Sequence, residues 1–158
     1  MNDMIYYSYV ILSSIFFAIY LPYLVLCGLF RGRFPHGDFQ RELRERLGFF
    51  PSPSTAGTVW VHAASVGEVF CSAPLVKRIK EKFPETGVLL TTMTRTGNEA
   101  AKRYIPEADR VLFFPLDHPF AVGMAIRRTR PRLLLIAETE IWPCLLRSCG
   151  REGIPVVL

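Results

Sequence analysis

No charge interrupts residues 4–30, no Lys or Arg precedes them, and no CxxC pair, GxGxxG run, P-loop or Asp-x-Asp pair occurs in the chain. Each absence removes a class of protein. The four cysteines are scattered: Cys27 falls in the uncharged stretch, Cys71 in a helical pattern, and Cys144 and Cys149 have no histidine nearby. That usage is neither a disulfide framework nor a zinc site. Without the glycine-lysine loop or the glycine fingerprint, triphosphate and dinucleotide binding are excluded as readings. No aromatic-basic stacking motif is present either, so nucleic acid is not the expected partner of a chain carrying a formal charge of +5.

The uncharged stretch is rich in Ile, Leu, Val and Phe. About 20 such residues cross a bilayer core as a helix, so residues 4–30 read as a transmembrane anchor, with Tyr6, Tyr7 and Tyr9 as an interfacial belt. A cleaved signal peptide would need a basic start, and only Asp3 is there. All 19 basic residues and 13 of the 14 acidic ones follow Phe30, a net +6. The positive-inside bias therefore puts the rest of the chain in the cytoplasm, beside anionic headgroups. Residues 31–57 are a basic juxtamembrane segment and linker in which Phe39, Leu43 and Leu47 recur every four residues. An amphipathic helix there fits the headgroup surface or the protein's own domain equally well. Arg31, Arg33, Arg41, Arg44 and Arg46 are its candidates for lipid or acceptor phosphates.

From residue 58 onward strands are expected at 58–63, 87–93, 110–115, 132–137 and 154–158, with helices at 68–83, 98–105, 119–129 and 141–151. Continuous apolar runs such as Leu133–Ala137 are strands buried on both faces, which implies a parallel sheet covered by helices. The fold class is α/β: a transmembrane helix, then a Rossmann-like sheet over 58–158. The chain ends inside the apolar run 154–158, which suggests a truncation or the first half of a two-domain protein.

Two strand ends carry acids. Glu68 follows Trp60-Val61-His62 and a run of small residues, at the start of a helix. Its spacing from Ser65 fits a capping box, while Ala63, Ala64 and Gly67 leave space for a ligand; both readings stand. His62 reads as a strand-end histidine with a satisfied hydrogen bond rather than as a catalyst. Glu138 and Glu140 follow the strand at 132–137 and project to one side if the chain there stays extended, and Trp142 reads as core. The loop Thr94-Arg95-Thr96-Gly97, also after a strand, offers hydroxyls, an arginine and a helix start to a phosphate or sugar. Pro115–Phe120 reads as a turn and helix start, with Pro119 at the first helical position.

Four segments in order, VHAASVGE at 61–68, TTMTRTG at 91–97, PLDHPF at 115–120 and ETEIWP at 138–143, resemble the N-terminal part of the 3-deoxy-D-manno-octulosonic acid (Kdo) transferases of Gram-negative bacteria. The resemblance implies the first half of a two-domain GT-B glycosyltransferase on the cytoplasmic side of the bacterial inner membrane, held by a single-pass anchor. It implies inverting transfer of Kdo from CMP-Kdo to the lipid A precursor, lipid IVA, with no cofactor and no metal. Glu68 is then the general base and Glu138 the second functional acid. Ser65, Gly67, Thr94, Arg95, Thr96, Gly97 and Glu140 are expected to bind substrate, most of the CMP-sugar falling to a C-terminal domain. On that reading the fragment alone is inactive. A non-catalytic membrane-anchored lipid-binding module and another GT-B transferase are the alternatives. Relatives often carry Asn where this chain has Cys144, which is given no role.

Overall fold

The computed structural model describes residues 3–30, 37–51, 57–138 and 140–158. Helix α1 spans Asp3–Phe30 and α2 Gly37–Arg46; strands and helices then alternate as β1 Val59–His62, α3 Val66–Lys82, β2 Val88–Thr92, α4 Arg95–Tyr104, β3 Arg110–Phe113, α5 Pro119–Thr129, β4 Leu133–Ile136, α6 Pro143–Arg151 and β5 Val156–Val157. The five strands form one parallel sheet in the order β3-β2-β1-β4-β5. The strand and helix expectations hold with shifted boundaries. Helices α3 and α4 start earlier than the apolar period suggests, because Ser65 and Thr94 cap them through their side chains. Helix α6 starts later, with Pro143 in its first turn.

The apolar strands feed two cores because successive side chains alternate across a sheet. Val59, Val61, Val88 and Leu90 pack with Val69, Val76, Ala101 and Ile105 under α3 and α4. Trp60, Leu89, Leu112, Leu134 and Ile136 pack on the other face with Val122, Ile126 and Leu145 of α5 and α6. Paired positions share a face, Trp60 beside Leu89 and Leu134, Val61 beside Leu90 and Leu135.

The two N-terminal helices are built into this frame. Tyr6 is buried in the core on the α5–α6 side, with Tyr9 and Val10 packed against it. The Tyr9 hydroxyl donates to Asp117 at 2.9 Å, Ser14 Oγ lies 3.1 Å from His118 Nε2, and Asp3 pairs with Arg147 at 2.7 Å. Tyr6 and Tyr9 thus face the domain rather than forming an interfacial belt, whereas Ile5, Ile11, Leu12, Ile15, Phe16 and Ile19 stay exposed. Helix α2 packs on its own domain, as one of its two sequence readings has it. Buried Glu45 accepts the Phe113 N–H at 2.8 Å, and Arg46 donates to the Met93 carbonyl at 2.8 Å while accepting Leu116 N–H through its own carbonyl. Gly48 follows with φ +80°, and a Cβ there would run into the Ala121 carbonyl of α5.

Candidate functional site

Strand order reverses between β1 and β4: the chain moves outward from β1 through β2 to β3, then returns to lie on the other side of β1. Ligands of open α/β sheets bind in the crevice beyond the strand ends at such a switch point. Glu68, Glu138 and Glu140 all flank it. Residues some 70 apart in sequence are joined there by the sheet, where Ala137 N–H donates to the His62 carbonyl at 2.9 Å.

Glu68 lies in the first turn of α3 and is 6% exposed. Its Oε2 accepts the Ala64 N–H at 2.7 Å; Oε1 accepts the Ser65 hydroxyl at 2.7 Å and the Ser65 N–H at 3.2 Å. The capping box predicted from spacing is therefore formed. It is also compatible with chemistry. A carboxylate offers about four lone-pair sites, and these three donors leave one on Oε2. Gly67, in the same turn, is exposed, and a Cβ there would meet only Ser65 Oγ at 3.8 Å. Packing among the described residues does not require a glycine at that position, so open space lies over Gly67, next to Glu68 in the chain.

The acids after β4 behave differently from the extended-chain expectation. Glu140 N–H donates to the Glu138 carbonyl at 2.8 Å, closing a turn, so the two side chains do not share one environment. Glu138 is exposed. Glu140 turns inward, accepts the Trp142 indole N–H at 3.1 Å and approaches His62 Nε2 at 3.1 Å. Burial pushes the Glu140 carboxyl above its ordinary pKa; the indole bond works against this, and the nearby Glu68 and Glu138 charges reinforce it. His62 is fully buried, and burial holds its imidazole down to about 4, neutral at physiological pH. Its Nδ1 is satisfied by Thr91, as the sequence reading expects, but Nε2 has no hydrogen-bond partner among the described residues, since the short approach to Glu140 lies off the bonding direction. Trp142 is only partly buried and frames this pocket edge-on to His62.

The remaining expected residues divide. Thr94 caps α4 by accepting Gly97 N–H at 3.0 Å, and Thr96 is exposed beside it. Gly97 is buried; a Cβ would press on Thr94 Oγ1 at 2.9 Å and the Ala64 carbonyl at 3.4 Å, so packing accounts for it. Arg95, its side chain 48% exposed, pairs with Glu42 at 2.7 Å, and the less exposed Arg46 pairs with the same carboxylate at 3.1 Å. Arg41, paired with Glu45 at 3.4 Å, and exposed Arg44 remain on the surface. Arg31 and Arg33 lie outside the described residues. Asp117, read from sequence only as part of a turn, is a buried junction: it accepts Cys144 N–H, Leu145 N–H and the Tyr9 hydroxyl. Its signal was an acid just before a helix-starting Pro, but the partners come from α1 and α6. Cys144 is buried, with burial pushing its thiol up to about 12, so it is inert as a nucleophile.

A family model described as 3-deoxy-D-manno-octulosonic-acid transferase (kdotransferase) matches residues 41–158, the whole sheet domain with both acidic loops. The chain belongs to the Kdo transferase family. Among similar curated proteins, the 3-deoxy-D-manno-octulosonic acid transferase of Haemophilus influenzae is 34% identical over 139 residues, 85% of this chain and 32% of its own length. That of Bordetella pertussis is 37% identical over 114 residues, covering 68% and 26%. The Chlamydophila psittaci enzyme is 31% identical over 153 residues, covering 93% and 35%. The chain thus spans about a third of the length of these relatives. In this Kdo transferase family member, that third contains the switch-point crevice and its three carboxylates.

Proposed function

We propose that this chain is the acceptor-side part of a membrane-anchored, inverting glycosyltransferase that moves Kdo from CMP-Kdo to a lipid A precursor in lipopolysaccharide synthesis. The observation that carries the reading is the placement of Glu68: a carboxylate oriented by three donors, with a free lone pair and open space over Gly67, at the switch point of the sheet. In this mechanism Glu68 takes the proton from the acceptor hydroxyl as that oxygen attacks the anomeric carbon of Kdo. CMP leaves with the bonding electrons. Exposed Glu138 and half-buried Glu140 follow β4 at the same switch point, as the second acid and a substrate ligand. Donor binding falls mostly to the two thirds of the relatives' length that this chain does not span. The apolar side of α1 that does not pack on the domain, with Ile5, Ile11, Leu12, Ile15, Phe16 and Ile19 exposed, supports membrane attachment. With Arg41 and Arg44 on the surface nearby in the chain, the domain is read as lying on the cytoplasmic side of the inner membrane.

The test uses the full-length enzyme with CMP-Kdo and lipid IVA. Glu68→Gln keeps the size of the side chain and one acceptor oxygen but cannot take a proton; it gives up one backbone-amide bond at a cost of ~1–3 kcal/mol, and the folded enzyme should turn over ~10²–10⁴-fold more slowly, the range for a lost general base. Normal turnover by a folded Glu68→Gln enzyme would remove Glu68 from the chemistry.

A further inference from the structure

One buried polar atom at the crevice has no role in the proton transfer described. His62 Nε2 is completely buried and has no hydrogen-bond partner among the described residues, with Glu140 Oε2 3.1 Å away. On the other side of the ring, Nδ1 lies 3.1 Å from both the Thr91 carbonyl, which can only accept, and Thr91 Oγ1, which takes the Trp60 Nε1–H at 2.8 Å and so has its own hydrogen to give. The Nδ1 side alone therefore admits either tautomer. The carboxylate at Nε2 selects between them: a bare nitrogen lone pair there would face a charged oxygen, whereas Nδ1 can accept the Thr91 hydroxyl, so the proton is assigned to Nε2.

The ring itself is clamped. Phe114 stacks on it at 4.0 Å between centroids, and Trp142 meets it edge-on at 6.1 Å. Glu140, whose side chain is 29% exposed, is the movable partner. We infer that His62 is a positioning residue for the acceptor site: Nε2–H, 3.1 Å from Glu140 Oε2 but not aligned with it in this structure, anchors the Glu140 carboxylate at the crevice mouth when the acceptor binds and the partly exposed Glu140 side chain turns into line, its other oxygen then receiving a sugar hydroxyl of the acceptor opposite Glu68. This rests on the reading of the crevice as the site of Kdo transfer. Glu140 is then the substrate ligand that meets the acceptor beside the base. The relay Trp60–Thr91–His62–Glu140 links β1, β2 and the loop after β4, so the strand ends set the carboxylate's position.

The experiment measures single-turnover transfer by the full-length enzyme carrying His62→Asn, His62→Gln, Glu140→Gln and the double variant His62→Asn/Glu140→Gln. Asn retains a group near Nδ1 but does not reach Glu140; Gln places an amide near Nε2. His62→Asn and Glu140→Gln should each slow transfer about tenfold, with the double variant no slower than the worse single, as expected for residues acting as one unit. His62→Gln should recover most of the rate, and the KM for CMP-Kdo should not move. Wild-type turnover in His62→Asn, losses that multiply in the double variant, or a Gln variant as slow as Asn would each overturn the inference. Imidazole 15N shifts supply a readout that needs no substrate and does not depend on the Asn variant folding. They should show the His62 proton on Nε2 at neutral pH and a resonance that moves in Glu140→Gln. A proton on Nδ1, or a resonance indifferent to Glu140→Gln, refutes it. A wild-type enzyme that transfers no Kdo would instead sink the proposed function, with the nitrogen shifts still deciding whether His62 holds Glu140.

Discussion

Replacing Asp117 should loosen two helices at once, and the hydrogen bonds set the size of the effect. Oδ1 accepts Leu145 N–H at 2.9 Å, while Oδ2 accepts Cys144 N–H at 3.1 Å and the Tyr9 hydroxyl at 2.9 Å. Helix α6 has no side-chain cap of its own at Trp142, so this remote carboxylate serves its first-turn amides. Asn fits the same volume but has one acceptor oxygen. In either orientation its amide NH2 meets a backbone N–H, leaving one buried donor unsatisfied at a cost of ~1–3 kcal/mol. Asp117→Ala abandons both amides and should cost roughly 3–5 kcal/mol by the same reasoning. Tyr9→Phe removes a single bond to a charged acceptor, about 1.5 kcal/mol, and should cost nothing further in the Asp117→Ala background. The assay is urea unfolding of the chain in detergent, with amide exchange read at Cys144 and Leu145. Asn at wild-type stability, or additive effects of Tyr9→Phe and Asp117→Ala, would refute the junction.

Other perturbations have equally definite outcomes. His62 titrates at about 4 in the folded chain against an ordinary 6.5, so the unfolded chain binds a proton that the folded chain refuses, and stability falls as pH drops through that window by ~3 kcal/mol. Glu140, Asp117 and Glu45, raised by burial, act in the opposite sense. The measurement is therefore the difference between wild type and His62→Gln from pH 7 to 4.5, and parallel curves would contradict it. Gly67→Ala should leave the unfolding midpoint within about 0.5 kcal/mol, because its Cβ meets open space, yet lower Kdo transfer by filling that space. Gly48→Ala should cost at least ~2 kcal/mol in urea unfolding, since a left-handed φ and the Ala121 carbonyl both oppose a side chain there.

The reach of sequence reasoning differed from motif to motif. Ser65 and Glu68 three apart, and Pro119 at a helix start, were legible because capping is local: donor and acceptor lie within one turn. The two-faced sheet was legible in runs such as Leu133–Ile136, which have no polar side to show water. Where a residue's partners come from distant segments, the sequence was silent. Arg46 counted as a surface cation until Glu42, Met93 and Phe113 enclosed it. Tyr6 and Tyr9 fitted a membrane belt until Arg147 and Asp117 became their neighbours.

By itself, then, the sequence determined the α/β class, the run of strands and helices, the family and the two acidic loops, since each is written in periodicity or in residues a few positions apart. Only the tertiary structure decided what those loops do to one another. Laying β4 against β1 brings Glu140 to His62 and both to the side of Glu68, and burial there keeps the imidazole neutral and raises the Glu140 carboxyl. Those are consequences of strand order and of a dielectric that exists only once the core has closed.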